Sequence, residues 1–211
     1  MEVEIVALSR QGGRSYNEDV FGHWNDGHFV ACLVADGAGG HGGGDVASAT
    51  VRSSVLDGYA RSPTLDTGVM RALIEQANLA VVARQGESDA LSSMRTTVVL
   101  AAIDIERNEM AWAHCGDSRA YLFRHGAIVA RTKDHSLVQQ LVTGGMLDDE
   151  GARLHPTRNV LLAALGSVDE PLDVSVSGPM PLQEGDAVLL CSDGLWEPLG
   201  DALLAETLRA S

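Results

Sequence analysis

"TTVVLAAIDIERNEMAWAHCGDSRAYLFRHGAIVART", residues 96–132, is the stretch whose reading decides the fold. It holds four short runs, 96–104, 109–117, 119–126 and 127–132, rich in Val, Ile, Ala and aromatic side chains. Glu106-Arg107-Asn108 and His125-Gly126 separate them as tight turns. Runs of this length and composition favour strands, and turns this short allow only antiparallel neighbours. The stretch therefore predicts an antiparallel meander.

Upstream, "VEIVALSRQG" (3–12) and "HFVACLVAD" (28–36) read as two further strands. Between them and the meander lie two helical patterns. "DVASATVRSSVLDGYA" (45–60) places Val46, Ala49, Val55 and Tyr59 on one face, with Asp45 as an N-cap. "DTGVMRALIEQANLAVVARQG" (66–86) does the same with Val69, Leu73, Ala77, Ala80 and Val81, and Gly86 stops it. Downstream, "SLVQQLVTGG" (136–145) reads as a short helix capped by Asp134. Residues 145–170 mix Gly, Pro and charge around short helical pieces, as in an exposed flap. "DVSVSGPMPL" (173–182) and "DAVLLCSDG" (186–194) are late strands, and "GDALLAETLRA" (200–210) is a last helix. Strands in two groups with long helices between them argue for α+β over alternating βαβ units. Two antiparallel sheets packed face to face with helices outside, a four-layer α-β-β-α sandwich, would cover every apolar face.

The chain has 211 residues, 45% of them hydrophobic, enough for one domain with its own core. It carries 29 acidic against 15 basic residues, a net charge of −14. Nucleic-acid binding needs clustered positive charge and is disfavoured. No stretch reaches the roughly 20 apolar residues that span a membrane. The acidic start "MEVEIVALSRQGG" lacks the marks of a signal peptide, so a cytoplasmic location is expected. The three cysteines, Cys32, Cys115 and Cys191, have no C-x-x-C spacing and read as reduced core thiols.

Chemistry enters where acids follow apolar runs. "CLVADG" ends on Asp36, "WAHCGDS" on Asp117 and "VLLCSDG" on Asp193, while Glu18 and Asp19 follow the first predicted strand. One Asp-Gly after a strand is an ordinary turn. Several such acids at one edge of a packed sheet pair would repel one another unless cations compensate. An all-oxygen set favours Mg²⁺ or Mn²⁺ over Zn²⁺. The loop "LVADGAGGHGGGD" (33–45) has the glycines of a phosphate cradle but no basic residue, and no G-x-x-x-x-G-K-[ST] occurs, so a nucleotide site is a poor reading.

In order, "RSYNED" (14–19), "DGAGGHGGGDVAS" (36–48), "GDSRAYLFR" (116–124), "KDHSLVQQL" (133–141) and "CSDGLW" (191–196) resemble the metal-dependent type 2C, or PPM, protein phosphatases, most of all their bacterial branch. The resemblance runs to about residue 200. It implies one phosphatase domain over 1–211, with a flap at about 140–170. It also implies two core Mn²⁺ or Mg²⁺ ions and a third, weaker one. By the same resemblance Asp36 bridges the two metals, Gly37 offers its carbonyl and Asp193 ligates a core metal. Glu18 belongs to the metal shell, Asp19 stands close behind as a structural acid, and Asp117 matches the third site. Arg14 would bind the substrate phosphate with its guanidinium fork. The implied reaction is hydrolysis of phosphoserine or phosphothreonine in proteins by a metal-activated water. Some relatives carry His directly after Asp-Gly; here that residue is Ala38, which leaves His41 or a water as proton donor. Arg119 reads as a buttress of the site and His135 as a residue ordering the base of the flap.

The expected partners are phosphoproteins made by a Ser/Thr kinase, with no nucleic acid and no membrane, and the chain is expected to act as a monomer. The family's closing strand, preceded by Asp-Asn, has no counterpart, since no Asp-Asn occurs in the sequence. Three readings stay open: a chain that continues past Ser211, another acid in that role, or a catalytically weak or silent regulatory binding module on the same fold.

Overall fold

Residues 1–39, 43–168 and 171–210 are described by the structure, a computed structural model. The predicted meander lies at its centre but is divided between two sheets. β4 (Val98–Asp104) and β5 (Glu109–Cys115) pair in the larger sheet, and β6 (Arg119–Arg124) and β7 (Ala127–Arg131) pair in the smaller. The chain changes sheets at 116–118. Gly116 makes the change with φ 105°, a left-handed conformation that suits glycine, and an added Cβ would collide with Thr97.

The larger sheet has seven strands. β1 (Asp19–Asn25), β2 (Phe29–Ala38), β4 and β5 form its body in that order. The short strand β3 (Arg95–Thr96) extends β2, and β8 (Ser175–Val176) and β9 (Met180–Pro181) pair with β5. The smaller sheet has three strands, β10 (Ala187–Cys191), β6 and β7 in that order. All the named pairings are antiparallel.

Alternation along the strands makes three cores and four layers. Ala31, Leu33 and Ala35 of β2, with Leu100 and Ala102 of β4, pack on α1 (Gly44–Arg61) and α2 (Thr67–Gln85). Their neighbours Val30, Val99, Ala101 and Ile103 face the smaller sheet and meet Ala120, Leu122, Val188 and Leu190. The outer face of that sheet, Tyr121, Phe123 and Cys191, packs on Trp196, Leu204 and Leu208 of α5 (Asp193–Ala210). The period of two sends each strand's odd and even residues to different layers. The α+β, α-β-β-α sandwich expected from the sequence is the fold.

Several local expectations are corrected. Residues 3–12 form no strand. Val3 and Ile5 do turn inward onto the core between the sheets, but the segment has no ladder partner among the described residues. The first strand is instead β1, and at Gly22 in it an added Cβ would press on the Leu56 and Arg52 side chains of α1. Asp45 does not cap α1; Gly43, at φ 98°, occupies that position and Asp45 lies in the first turn. The buried face of α2 is Met70, Leu73, Ile74, Ala77 and Val81, with Val69 exposed; Asp66 caps the helix. Ser136, not Asp134, caps α3 (Leu137–Thr143). The final helix begins at Asp193 and bends at Gly200, φ 70°.

The segment between the meander and β8 leaves and returns at defined points. Leu137 donates to Val160 O (3.0 Å) and Leu162 donates to His135 O (2.8 Å). Thr96 and Leu165 exchange backbone hydrogen bonds of 3.2 and 2.8 Å. The excursion carries α3 and α4 (Asp149–Arg153). Arg153 and Arg158 of this excursion are paired: Arg153 with Glu150 and the Glu197 carbonyl, Arg158 with Glu197.

Candidate metal centre

Asp19 and Asp36 are directly opposed in the β1–β2 register. Their neighbours Val20 and Ala35 pack toward the helices, so both carboxylates stand on the face turned to the smaller sheet. Asp36 is therefore inside β2 and not at a strand end, a correction to the sequence reading. Asp193 arrives from the start of α5 and hydrogen-bonds to Asp36. Asp117 arrives from the turn between the sheets. Two strands, a sheet-to-sheet turn and a helix start thus bring four aspartates to one end of the sandwich.

Like charges opposed across a strand pair repel, and burial disfavours the ionised form. Burial first, then Asp19, Asp193 and Asp117, pushes the Asp36 carboxyl up to about 9. Burial, with Asp193 and Asp134 after it, raises Asp117 to about 7. Asp193 is raised too, mainly by burial.

Hydroxyl side chains hold the acids in position. Thr97 Oγ1 accepts the Asp36 N–H (3.1 Å), and Thr96 Oγ1 donates to the Asp36 carbonyl (2.9 Å). The Thr97 and Ser118 hydroxyls are 2.7 Å apart, which joins the supports of Asp36 and Asp117. Ser192 donates to Asp19 Oδ2 (2.7 Å) from the residue before Asp193. Ser48 of α1 donates to the Glu18 carbonyl (2.6 Å). Trp196 donates from Nε1 to the Asp117 carbonyl (2.9 Å). Arg119 lies 3.5 Å over the Trp196 ring and forms a two-pronged pair with Asp134 at 2.8 and 2.7 Å. The sequence reading saw Arg119 and missed the hydroxyls; adjacent threonines before a strand were their only mark.

Gly37 and Gly44 are required by close packing. A Cβ on Gly37 would overlap the Gly44 carbonyl, and one on Gly44 would overlap Glu18 Oε1. The resemblance implies that Gly37 offers its carbonyl; its missing side chain also admits the close approach of α1. Glu18 Oε1 is buried and has no hydrogen-bond partner among the described residues. Arg14 is exposed, and its guanidinium makes no ion pair among the described residues. His41 lies outside the described residues.

Among the described residues no three His, Cys, Asp or Glu side chains close into a ligand set by themselves. What the site offers is mutually repelling carboxylates and a buried carboxylate oxygen without a hydrogen-bond partner among the described residues. Oxygen donors short of a full set suit ions that keep several waters, the habit of Mg²⁺ and of similar hard cations.

Known proteins carry the same pattern. The Protein phosphatase 2C family model matches residues 9–210. The serine/threonine phosphatase stp of Listeria monocytogenes is 34% identical over 203 residues, covering 93% of this chain and 79% of its own length. The serine/threonine protein phosphatase PstP of Mycobacterium tuberculosis is 36% identical over 181 residues, covering 83% of this chain and 34% of its own. The solved S. agalactiae serine/threonine phosphatase superposes with a TM-score of 0.79 at 31% identity, over 92% of this chain and 81% of that one. The catalytic domain of PstP, solved in complex with two manganese ions, gives 0.74 at 32% identity, over 95% and 81%. With its sequence matched almost throughout and its fold matched to the same proteins, the chain belongs to the protein phosphatase 2C family.

Proposed function

We propose that this protein hydrolyses phosphoserine and phosphothreonine in proteins at a binuclear Mn²⁺ or Mg²⁺ centre. The observation that carries the reading is the opposed pair Asp19–Asp36 with Asp193 and Asp117 beside it, in a chain of this family. Asp36, Asp193 and the Gly37 carbonyl would hold the core cations, and Glu18 would reach their shell with the buried oxygen that has no hydrogen-bond partner among the described residues. Asp19, tethered by Ser192, supports Asp36 from behind. Asp117 would hold a third, weaker ion. When bound, the cations lower the pKa of a water and neutralise charge on the phosphoryl oxygens.

Arg14, without an ion pair among the described residues, would bind two oxygens of the phosphate and turn phosphorus toward the acid cluster. Ala38 has no proton to give, so His41 is the side chain assigned to protonate the leaving alkoxide, with water as the other source. Substrates are the products of a Ser/Thr kinase, and a bacterial, cytoplasmic monomer is the setting that fits. The net charge of −14 supports the absence of a nucleic-acid partner. Among the described residues no helix is long and apolar enough to cross a membrane.

The test is para-nitrophenyl phosphate hydrolysis with and without Mn²⁺. The proposal expects turnover only with metal, and a loss of about 10³-fold, some 4 kcal/mol of barrier, in Asp36→Asn. Equal rates with and without Mn²⁺, or in both proteins, would sink it. No turnover despite tight Mn²⁺ binding would favour a regulatory binding module on the same fold.

A further inference from the structure

His135 makes a set of contacts that the site as described does not use. Its backbone N–H donates to the Gly116 carbonyl (2.9 Å), and its Nδ1 accepts the Gly116 N–H (3.1 Å). Both polar groups of Gly116 are therefore taken by one residue. A backbone N–H can only donate, so Nδ1 is unprotonated and the ring proton sits on Nε2. Nε2 in turn donates to Ser175 Oγ of β8 (2.8 Å). The ring stacks on buried His114 of β5, centroids 4.7 Å apart and planes within 8°. The His135 carbonyl accepts from Leu162, where the excursion carrying α3 and α4 returns.

Gly116 is the left-handed residue at which the chain crosses between the sheets, and Asp117 follows it directly. A left-handed turn has few internal hydrogen bonds to define it, so its direction is set from outside. Trp196 holds the far side through the Asp117 carbonyl. His135 holds the near side and is bonded at the same time to the root of the flap.

We propose that His135 is a positioning residue that fixes the Gly116–Asp117 turn, aims the Asp117 carboxylate, and couples that carboxylate to the flap. The metal consequence rests on the reading of Asp117 as the ligand of the weaker third ion. Coupling is reciprocal: movement of the flap root at Leu162 weakens the ion at Asp117, and the ion steadies the flap root.

Three variants divide the contacts. His135→Asn can place a side-chain oxygen where Nδ1 accepts from Gly116. His135→Gln reaches Ser175 only. His135→Phe keeps the ring stack alone. Calorimetric Mn²⁺ titration of the metal-free full chain and hydrogen exchange at the Gly116 amide are measured together with melting temperature. Phe and Gln are expected to weaken the weakest Mn²⁺ site about 10-fold and to speed Gly116 exchange by a similar factor, with the tight sites unchanged. Asn is expected to stay within about 3-fold of the parent in both. If His135→Phe does not fold, His135→Gln carries the comparison.

A weak site unaffected by Phe and Gln, or one lost equally in Asn, overturns the proposal. Asp117→Asn separates the two readings. If it leaves the weak site in place, the third-ion assignment fails, and the metal consequence proposed for His135 fails with it. If it removes the site while His135→Gln does not weaken it, only the proposal for His135 falls.

Discussion

Asp36 is placed where a carboxylate is least comfortable: opposite Asp19, hydrogen-bonded to Asp193 and partly buried. Its protonation near 9 and that of Asp117 near 7, against 3.8 for an ordinary aspartate, fix the sign of a pH effect. A folded-state pKa raised above the unfolded value means that the folded, metal-free chain holds more protons. The stability these two groups contribute is full below about pH 4 and is lost as pH rises through 7 toward 9. The melting temperature of the metal-free protein should therefore fall by about 5 °C or more between pH 5 and pH 9, and saturating Mn²⁺ should remove most of that fall. Asp36→Asn should flatten the metal-free curve and raise its value at pH 8 by roughly 2–8 °C, equivalent to about 1–2 kcal/mol. A metal-free curve flat from pH 5 to pH 9 would contradict the carboxylate repulsion described for this site.

At the scale of elements, the helices and meander strands follow local rules, and so does one simple test. Asp66 caps α2 with its side chain on the Val69 N–H at 2.9 Å. Asp66→Ala should cost about 1 kcal/mol, or some 2–4 °C in melting temperature, and leave phosphatase activity unchanged. A fall in Mn²⁺-dependent activity out of proportion to the fall in stability would mean that α2 carries more than packing. The meander was legible because its apolar runs and two tight turns are local features. Its division between two sheets was not, since one glycine, Gly116, decides it and its φ is set by Thr97 and His135. β1 was hidden by Gly22 and by its polar Asp, His and Asn residues, which a strand pattern penalises. Residues 3–12 misled for the opposite reason. Val3 and Ile5 alternate as in a strand and do face the core, but a pattern of side chains does not supply a ladder partner.

Over the whole molecule, the four layers turn these local features into a site. The core between the sheets is apolar from Met110 and Trp112 to Ala120 and Leu122, and the aspartates stand at one end of that gap. Asp117 and Asp193 were legible as strand-following residues, whereas Asp19 and Asp36 lie within β1 and β2. The hydroxyls of Ser48, Thr96, Thr97, Ser118 and Ser192 were not, because what matters in them is a partner from a distant part of the chain. The central claim is that the aspartates bind cations around Asp36. It is tested most directly by counting the Mn²⁺ ions that calorimetry finds on the metal-free chain and on Asp36→Asn. The account predicts two tight ions on the parent and the loss of both in the variant, each weakened at least about 100-fold. An equal number of ions bound with equal affinity in the two proteins would contradict it.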